Sequence, residues 1–332
     1  MSASSPAASG GLLAVHAHPD DETLATGSLL ATWAAAGRPV TLVTCTRGER
    51  GEVIGEALAG LEGDGPALAA HREAELAAAT AALGVVDRVF LDALLGWSGG
   101  RLEDSGMAWA DEGRRAVAAP DAVAAGTAFS VRPLDEVAAP LAALILDRRP
   151  DVVVTYEPGG GYGHPDHVRA HEVAHRAVEL AAQADEPYEV PVVLWAAQGL
   201  SRARAARRAL RSSAADGRVG QLTAPADDDV FASVVVPDDD IALEVDVLPV
   251  RDAVLAALHA HVTQVQHAEP VDEPVGGERA LVGRYALSLG LAEPLLPVEQ
   301  YRDASSRPGR ARGRHARTLA DRDWPAGVRP VA

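Results

Sequence analysis

The sequence holds a single cysteine, Cys45, in 332 residues. One thiol excludes an internal disulfide framework and suits a reducing compartment. Positive charge is short as well: 30 Lys and Arg stand against 47 Asp and Glu, a formal balance of −17. That deficit argues against nucleic acid or an anionic membrane as the main partner, because both bind through clustered cations. No uninterrupted apolar run approaches the roughly 20 residues that a spanning helix needs. Residues 1–10 are small and polar, without the basic start and apolar core of a secretion signal. Internal repeats are missing too. A soluble, cytoplasmic protein is the expectation.

What is present is a 48% hydrophobic content, enough for a sizeable core, and a regular alternation of strand and helix patterns. Short β-branched and Leu-rich runs predict strands at Leu12–Val15, Pro39–Cys45, Arg88–Asp92, Asp151–Tyr156 and Val190–Trp195. Between them, helices are predicted from Glu22 to Ala36, Pro66 to Leu83, Leu134 to Arg148 and Asp166 to Gln183. The long stretch from Ala93 to Pro133 reads as loop, and loops of that length are usually functional or disordered. Further on, Ser201–Ser212 and Val250–Val265 read as helices, and Phe231–Val236 and Ile241–Val247 as strands. Repeated β-α units predict an α/β fold: a Rossmann-like, mostly parallel sheet with helices on both faces, extended by a C-terminal α+β portion. Residues 1–10 read as a flexible segment and 11–301 as one domain. Residues 302–332 read as a loosely ordered Arg-rich tail, with seven arginines from Arg302 to Arg322.

The chemistry concentrates in two strand-to-helix turns. His16-Ala17-His18-Pro19-Asp20-Asp21-Glu22 closes the first strand, and Gly159-Gly160-Gly161-Tyr162-Gly163-His164-Pro165-Asp166-His167 follows the strand ending at Tyr156. Open α/β sheets place their ligands at such turns. Buried charges need partners or a metal, so this density of imidazole and carboxylate is costly without one. His18 and Asp21, three apart at a helix start, can converge on one cation, and His167 can supply a third ligand. Two histidines and a carboxylate leave a position for water, the composition of a catalytic zinc site. The same set accepts Fe²⁺ or Co²⁺. Asp20 is then free to handle protons, and His164 to act as an acid or charge stabiliser. Helix capping by Asp20 or Asp166 is the plain alternative, but it leaves the histidines unexplained.

A second pattern competes. His171-Glu172-Val173-Ala174-His175 matches the zinc-peptidase pattern H-E-x-x-H, with Glu172 as a general base. That reading abandons His16 to Asp21, and a five-residue pattern with two free positions arises by chance. His175 is therefore expected at the edge of the core rather than on a metal.

The two turns together resemble the LmbE-like, or PIG-L, superfamily of zinc-dependent sugar de-N-acetylases. Further stretches narrow the resemblance: Gly51-Glu52-Val53-Ile54-Gly55, Asp104-Ser105-Gly106-Met107-Ala108 and Gly160-Gly161-Tyr162-Gly163-His164. They are similar to the branch that removes acetate from N-acetylglucosaminyl-inositol in mycothiol biosynthesis. The related mycothiol S-conjugate amidases share the loop Gly48-Glu49-Arg50-Gly51. They carry a lysine soon after Asp-Asp-Glu, where this chain has Thr23-Leu24-Ala25-Thr26, and usually a proline between Tyr and His, where it has Gly163. Ala25 departs from the deacetylase branch, which is often polar there. The resemblance implies one zinc ion per chain, a small amino-sugar inositol substrate, and Asp20 as general base. It implies His164 or Tyr162 beside the developing oxyanion, and Arg72, Asp104 and Glu52 on the sugar and inositol hydroxyls. Met107 falls beside them, where a thioether serves packing more than contact.

Overall fold

The computed structural model describes residues 11–110, 115–214, 218–226, 229–272, 279–304 and 319–331. Along the chain come β1 (Leu12–His16), α1 (Asp21–Ala35), β2 (Val40–Thr44), α2 (Gly65–Leu83), β3 (Asp87–Phe90), α3 (Leu134–Arg148), β4 (Val152–Tyr156), α4 (Pro165–Ala182) and β5 (Val192–Gly199). They are followed by α5 (Leu200–Ser212), β6 (Leu243–Asp246), α6 (Arg251–Ala260), β7 (Gln266–Pro270), β8 (Gly283–Ala286), β9 (Glu293–Leu295), β10 (Val298–Asp303) and β11 (Val328–Pro330).

Every residue of β1, β2 and β4 is buried. Strands covered on both faces need apolar residues at successive positions, which is why these runs do not alternate with polar ones. The two faces separate cleanly in β1. Leu12 and Ala14 pack with Leu29, Trp33, Leu76 and Val254 of α1, α2 and α6. Leu13 and Val15 pack with Val137, Leu141 and Val173 of α3 and α4.

Among the described residues the main sheet has nine strands: eight run in the order β11-β6-β10-β5-β4-β1-β2-β3, and Val235–Val236 pairs beside the end of β5 off this path. From β3 to β5 all pairings are parallel. The β10, β6 and β11 pairings are antiparallel. The parallel order 3-2-1-4-5 reverses direction between β1 and β4, and such a switch point opens a crevice at the carboxyl ends of the strands. β1 ends at His16 and β4 at Tyr156, so both chemistry-rich turns lie at that crevice.

The expected Rossmann-like sheet with a C-terminal α+β extension is the observed architecture. Three expectations need correction. The helix read over Val250–Val265 is α6, which stops at Ala260, and His261 lies in the turn beyond it. Only Val235–Val236 of the stretch Phe231–Val236 forms a strand, beside the end of β5. The boundary at residue 301 cuts through β10, and the end of the chain is not a loose tail. β11 pairs with β6 at the sheet edge, and Trp324 stacks edge-on against Trp33 at 5.8 Å. Composition failed here because one short strand and one tryptophan hold residues 319–331 to the domain, and neither stands out in a stretch rich in Arg, Ala, Gly and Pro. The proposed flexible segment 1–10 and most of the Arg-rich stretch lie outside the described residues. The loop from Ala93 to Pro133 holds a short hairpin, Ala108–Ala110 with Arg115–Val117, and a helix at Pro120–Ala125.

Candidate active site

Beyond β1 the chain turns sharply into α1. The His18 amide donates to Asp21 Oδ2 at 2.8 Å, so the second carboxylate of the motif folds back over the turn. Asp20 occupies the N-cap position with φ 123° and ψ −35°, and its side chain makes no capping hydrogen bond. A non-glycine residue in that region costs about 1–3 kcal/mol and persists only where neighbours impose it. Neighbours do so here. The Asp20 amide donates to Glu22 Oε2 at 2.9 Å, and the Pro19 carbonyl accepts from the Arg72 guanidinium. Arg72 Nη2 also lies 3.3 Å from Asp20 Oδ1. Burial pushes the Asp20 carboxyl up to about 6; Arg72 opposes the rise and Asp21 adds to it. Asp20 is thus a strained, uncapped carboxylate with a proton affinity close to neutrality.

The turn after β4 is built on Glu157. Its carboxylate accepts from the amides of Gly159 at 2.6 Å and Gly161 at 2.9 Å, and from Ser233 Oγ at 2.7 Å. Gly160 has φ +67°, and a Cβ there would stand 2.8 Å from the Val168 amide nitrogen, so only glycine fits. Its carbonyl accepts from His167 Nδ1 at 3.1 Å. His164, not Asp166, caps α4: its Nδ1 accepts the Asp166 amide at 3.1 Å. Burial, with His18 and His167 close by, holds His164 down to about 2. The His164 ring is therefore neutral, with its proton on Nε2 as a donor.

The two turns meet around Asp21. Its Oδ2 lies 3.3 Å from His18 Nδ1, and its Oδ1 lies 3.3 Å from His167 Nε2. Both imidazoles have their proton committed elsewhere. A carbonyl only accepts, so His167 carries its proton on Nδ1; His18 Nε2 faces the carboxylates of Asp166 at 3.2 Å and Asp104 at 3.7 Å. Without a cation, His167 Nε2 turns a lone pair on Asp21, and His18 needs a second proton to hold the same carboxylate. Burial disfavours that proton but is outweighed by Asp104, Asp166 and Asp21, which raise the His18 pKa well above the usual imidazole value. A divalent cation among these groups takes that proton's place. His167 Nε2 is buried and has no hydrogen-bond partner among the described residues. This donor set fits a divalent metal. Nitrogens of His18, His164 and His167 come within 4.8 Å of one another, as do ligand atoms of His18, Asp104 and Asp166. Asp21 belongs to neither trio, although each of its oxygens stands 3.3 Å from one of the two histidines.

The peptidase-like pattern is not assembled for metal. His171 Nδ1 donates to the Tyr156 carbonyl at 2.8 Å, and His175 Nε2 accepts the Trp195 indole N–H at 2.8 Å. Glu172 pairs with Arg169 at 2.7 Å on the outer face of α4. His175 stands at the core edge, as expected.

The residues expected to touch substrate are scattered. Asp104 is in the site, its Oδ1 accepting the Gly106 amide at 2.8 Å. Arg72 is buried beneath it rather than presented to a ligand, with Nη1 on the Gly48 carbonyl at 2.7 Å. Glu52 lines a separate surface cleft with Glu49, Arg50 and Arg101. Met107 is 40% exposed, so it does not serve packing. Tyr162 is exposed and stands edge-on to His167 at 5.0 Å, at the mouth of the site. Beside Asp21, His167 and Tyr162 opens a cavity of about 340 Å³ that reaches Tyr285 and Glu293.

Several participants were invisible in the sequence. Tyr156 stacks on His167 with centroids 4.3 Å apart, and its hydroxyl accepts the Ala17 amide at 2.9 Å. Asp166, for which helix capping was the plain alternative, accepts from His18 and from the Ser105 amide at 2.8 Å. The position of Tyr156 at the end of a predicted strand was the one available signal.

Residues 13–178 match the family model described as PIG-L, GlcNAc-PI de-N-acetylase. The chain belongs to the PIG-L family. That segment contains both turns and the whole donor set around Asp21. Curated relatives extend the likeness over most of the chain. A protein of Kineococcus radiotolerans is 44% identical over 88% of this chain and 76% of its own length. One of Streptomyces avermitilis is 42% identical, covering 87% and 90%. One of Nocardia farcinica is 41% identical, covering 96% and 99%. Each is named a 1D-myo-inositol 2-acetamido-2-deoxy-alpha-D-glucopyranoside deacetylase. The PIG-L reaction class, hydrolysis of a carbon–nitrogen bond outside the peptide backbone, is that of this chain.

Proposed function

We propose that this chain removes the N-acetyl group of N-acetylglucosaminyl-inositol, 1D-myo-inositol 2-acetamido-2-deoxy-α-D-glucopyranoside, as a zinc-dependent step of mycothiol biosynthesis. The relatives named for that reaction support the substrate. The observation that carries the mechanism is the convergence of His18 Nδ1 and His167 Nε2 on the two oxygens of Asp21, with the strained carboxylate of Asp20 alongside. A cytoplasmic setting is part of the reading, supported by a lone, buried Cys45. Among the described residues, no helix is long and apolar enough to cross a membrane.

His18, Asp21 and His167 would hold the ion. His164 is the weaker fourth candidate, because its one free nitrogen carries the proton. A divalent ion there supplies Lewis acidity, acidifying water to a pKa of about 7 and drawing charge from the amide carbonyl. Zinc is the proposed native ion, with Fe²⁺ or Co²⁺ as substitutes.

The chain's own groups do the proton work. Asp20, poised near 6, accepts a proton from the attacking water and returns it to the departing amine. His164 presents Nε2–H to the developing oxyanion, and Tyr162 flanks the same point from the mouth. Asp166 holds His18 in the tautomer that leaves Nδ1 free. Asp104, 3.7 Å from His18 Nε2, is the candidate partner for a sugar hydroxyl on the His18 side. Arg72 pins Pro19 and Asp20 from below.

The test is turnover of N-acetylglucosaminyl-inositol against a mycothiol S-conjugate by the metal-loaded protein. Release of acetate from the first and little cleavage of the second supports the reading. The reverse preference assigns the chain to amidase chemistry instead.

A further inference from the structure

Asp20 is held in its strained geometry by more than its immediate neighbours. Glu22 is fully buried, and while its Oε2 accepts the Asp20 amide at 2.9 Å, its Oε1 is gripped twice. Thr23 Oγ1 donates to it at 2.5 Å and His261 Nε2 at 2.7 Å. His261 is also fully buried, and it comes from the opposite end of the domain, just after α6. Its turn is itself anchored. The Gln264 and Val265 amides return to the His261 carbonyl at 3.0 and 2.8 Å, and Glu75 of α2 accepts from the Thr263 amide at 2.8 Å. Arg72, three residues before Glu75 on the same helix, holds the Pro19 carbonyl. The Pro19–Asp20 peptide is thus clamped at its carbonyl by Arg72 and at its amide by Glu22.

A carboxylate with one oxygen free could rotate and release the Asp20 amide. With Oε1 pinned by His261, it cannot do so without leaving a buried imidazole unpaired. The Asp20 side chain caps nothing, and although its carbonyl accepts the Thr23 and Leu24 amides at 2.9 Å each, its amide is held at φ 123° by the Glu22 carboxylate. We propose that His261, acting through Glu22, is a positioning residue that keeps the Asp20 carboxylate in its reactive orientation. The inference rests on Asp20 being the general base.

A double-mutant cycle tests it on the zinc-loaded full chain. His261→Met keeps volume and removes the donor; His261→Gln returns a donor near the Nε2 position. Both are measured alone and in the Asp20→Asn background, with bound zinc and melting temperature read for each. A misplacement of about 1 Å is worth on the order of 10²-fold. His261→Met is therefore expected to lower kcat by about that factor, with KM and zinc content nearly unchanged. His261→Gln is expected to recover most of the loss. In the Asp20→Asn background His261→Met should cost little further, because the group it positions is gone. An equal loss in both backgrounds, or a loss confined to KM or to bound zinc, overturns the proposal and leaves the base reading intact. An Asp20→Asn protein with near-normal rate sinks the base reading and the proposal with it. If His261→Met does not fold, Glu22→Gln is read in the same cycle with the same criteria.

Discussion

His167 Nε2 stands 3.3 Å from Asp21 Oδ1, buried, with its ring proton already given to the Gly160 carbonyl. That relationship makes metal binding the first thing to measure. His167→Ala and Asp21→Ala are each expected to abolish stoichiometric zinc after dialysis. His175→Ala should retain it, since the His175 lone pair is spent on Trp195. Metal analysis of purified variants decides this. Zinc lost with His175 and kept without His167 would mean that the wrong histidines have been chosen.

Asp20→Asn keeps shape and removes the base. Loss of general-base catalysis is worth about 10²–10⁴-fold, so deacetylation should fall by that much with zinc and melting temperature preserved. A helix cap would behave in the opposite way, with a near-normal rate. Asp20→Gly adds a second reading. It releases about 1–3 kcal/mol of backbone strain against roughly 1 kcal/mol of added chain entropy. The inactive Gly variant is expected to melt no lower than wild type. A clear drop in its melting temperature would show that φ 123° is not strained in this protein.

Gly160→Ala should damage the site without removing a ligand. The methyl would meet the Val168 amide nitrogen at 2.8 Å and His167 Cβ at 2.9 Å, at a φ of +67°. Weaker zinc retention together with a lower melting temperature is the expected pair of effects. A variant with unchanged zinc affinity would mean that the loop can shift without carrying His167 along.

Glu293 supplies a pH test away from the metal. Burial raises its carboxyl to about 7, with Arg207 opposing only weakly. The folded protein therefore holds a proton that the unfolded chain releases at lower pH. Its contribution to stability is present in full below about 4.5 and is lost as pH rises through about 7. Glu293→Gln, permanently neutral, should match wild type at pH 4.5 and melt higher at pH 8. Parallel melting curves for the two proteins across that range would refute the burial argument.

Much of this was readable from the chain. The runs at Leu12–His16 and Val152–Tyr156 are buried on both faces, and such strands announce themselves as near-continuous apolar runs, with the polar His16 and Thr155 only at or near their ends. Helix α3 was readable for a related reason, since its apolar positions recur on one face. The motif residues His18, Asp20, Asp21, His164 and His167 stood out because clustered imidazoles and carboxylates have few inexpensive structural uses. Whether Arg72, Glu52 and Met107 meet substrate was not legible, because a single side chain has the same appearance in the sequence whether it faces solvent, substrate or a backbone carbonyl.

By itself, then, the sequence determined the order of strands and helices and the donor types at the ends of β1 and β4, because local periodicity and side-chain chemistry are properties of neighbouring residues. Only the tertiary structure decided which of those donors face one another. Asp21 is shared between His18 and His167, Trp195 takes His175 out of contention, and the Val328–Pro330 strand closes a sheet edge. His261 reaches Glu22 from 239 residues away. Such pairings depend on how far apart chain segments pack and on which lone pair or proton each partner leaves free. No stretch of neighbouring residues carries that information.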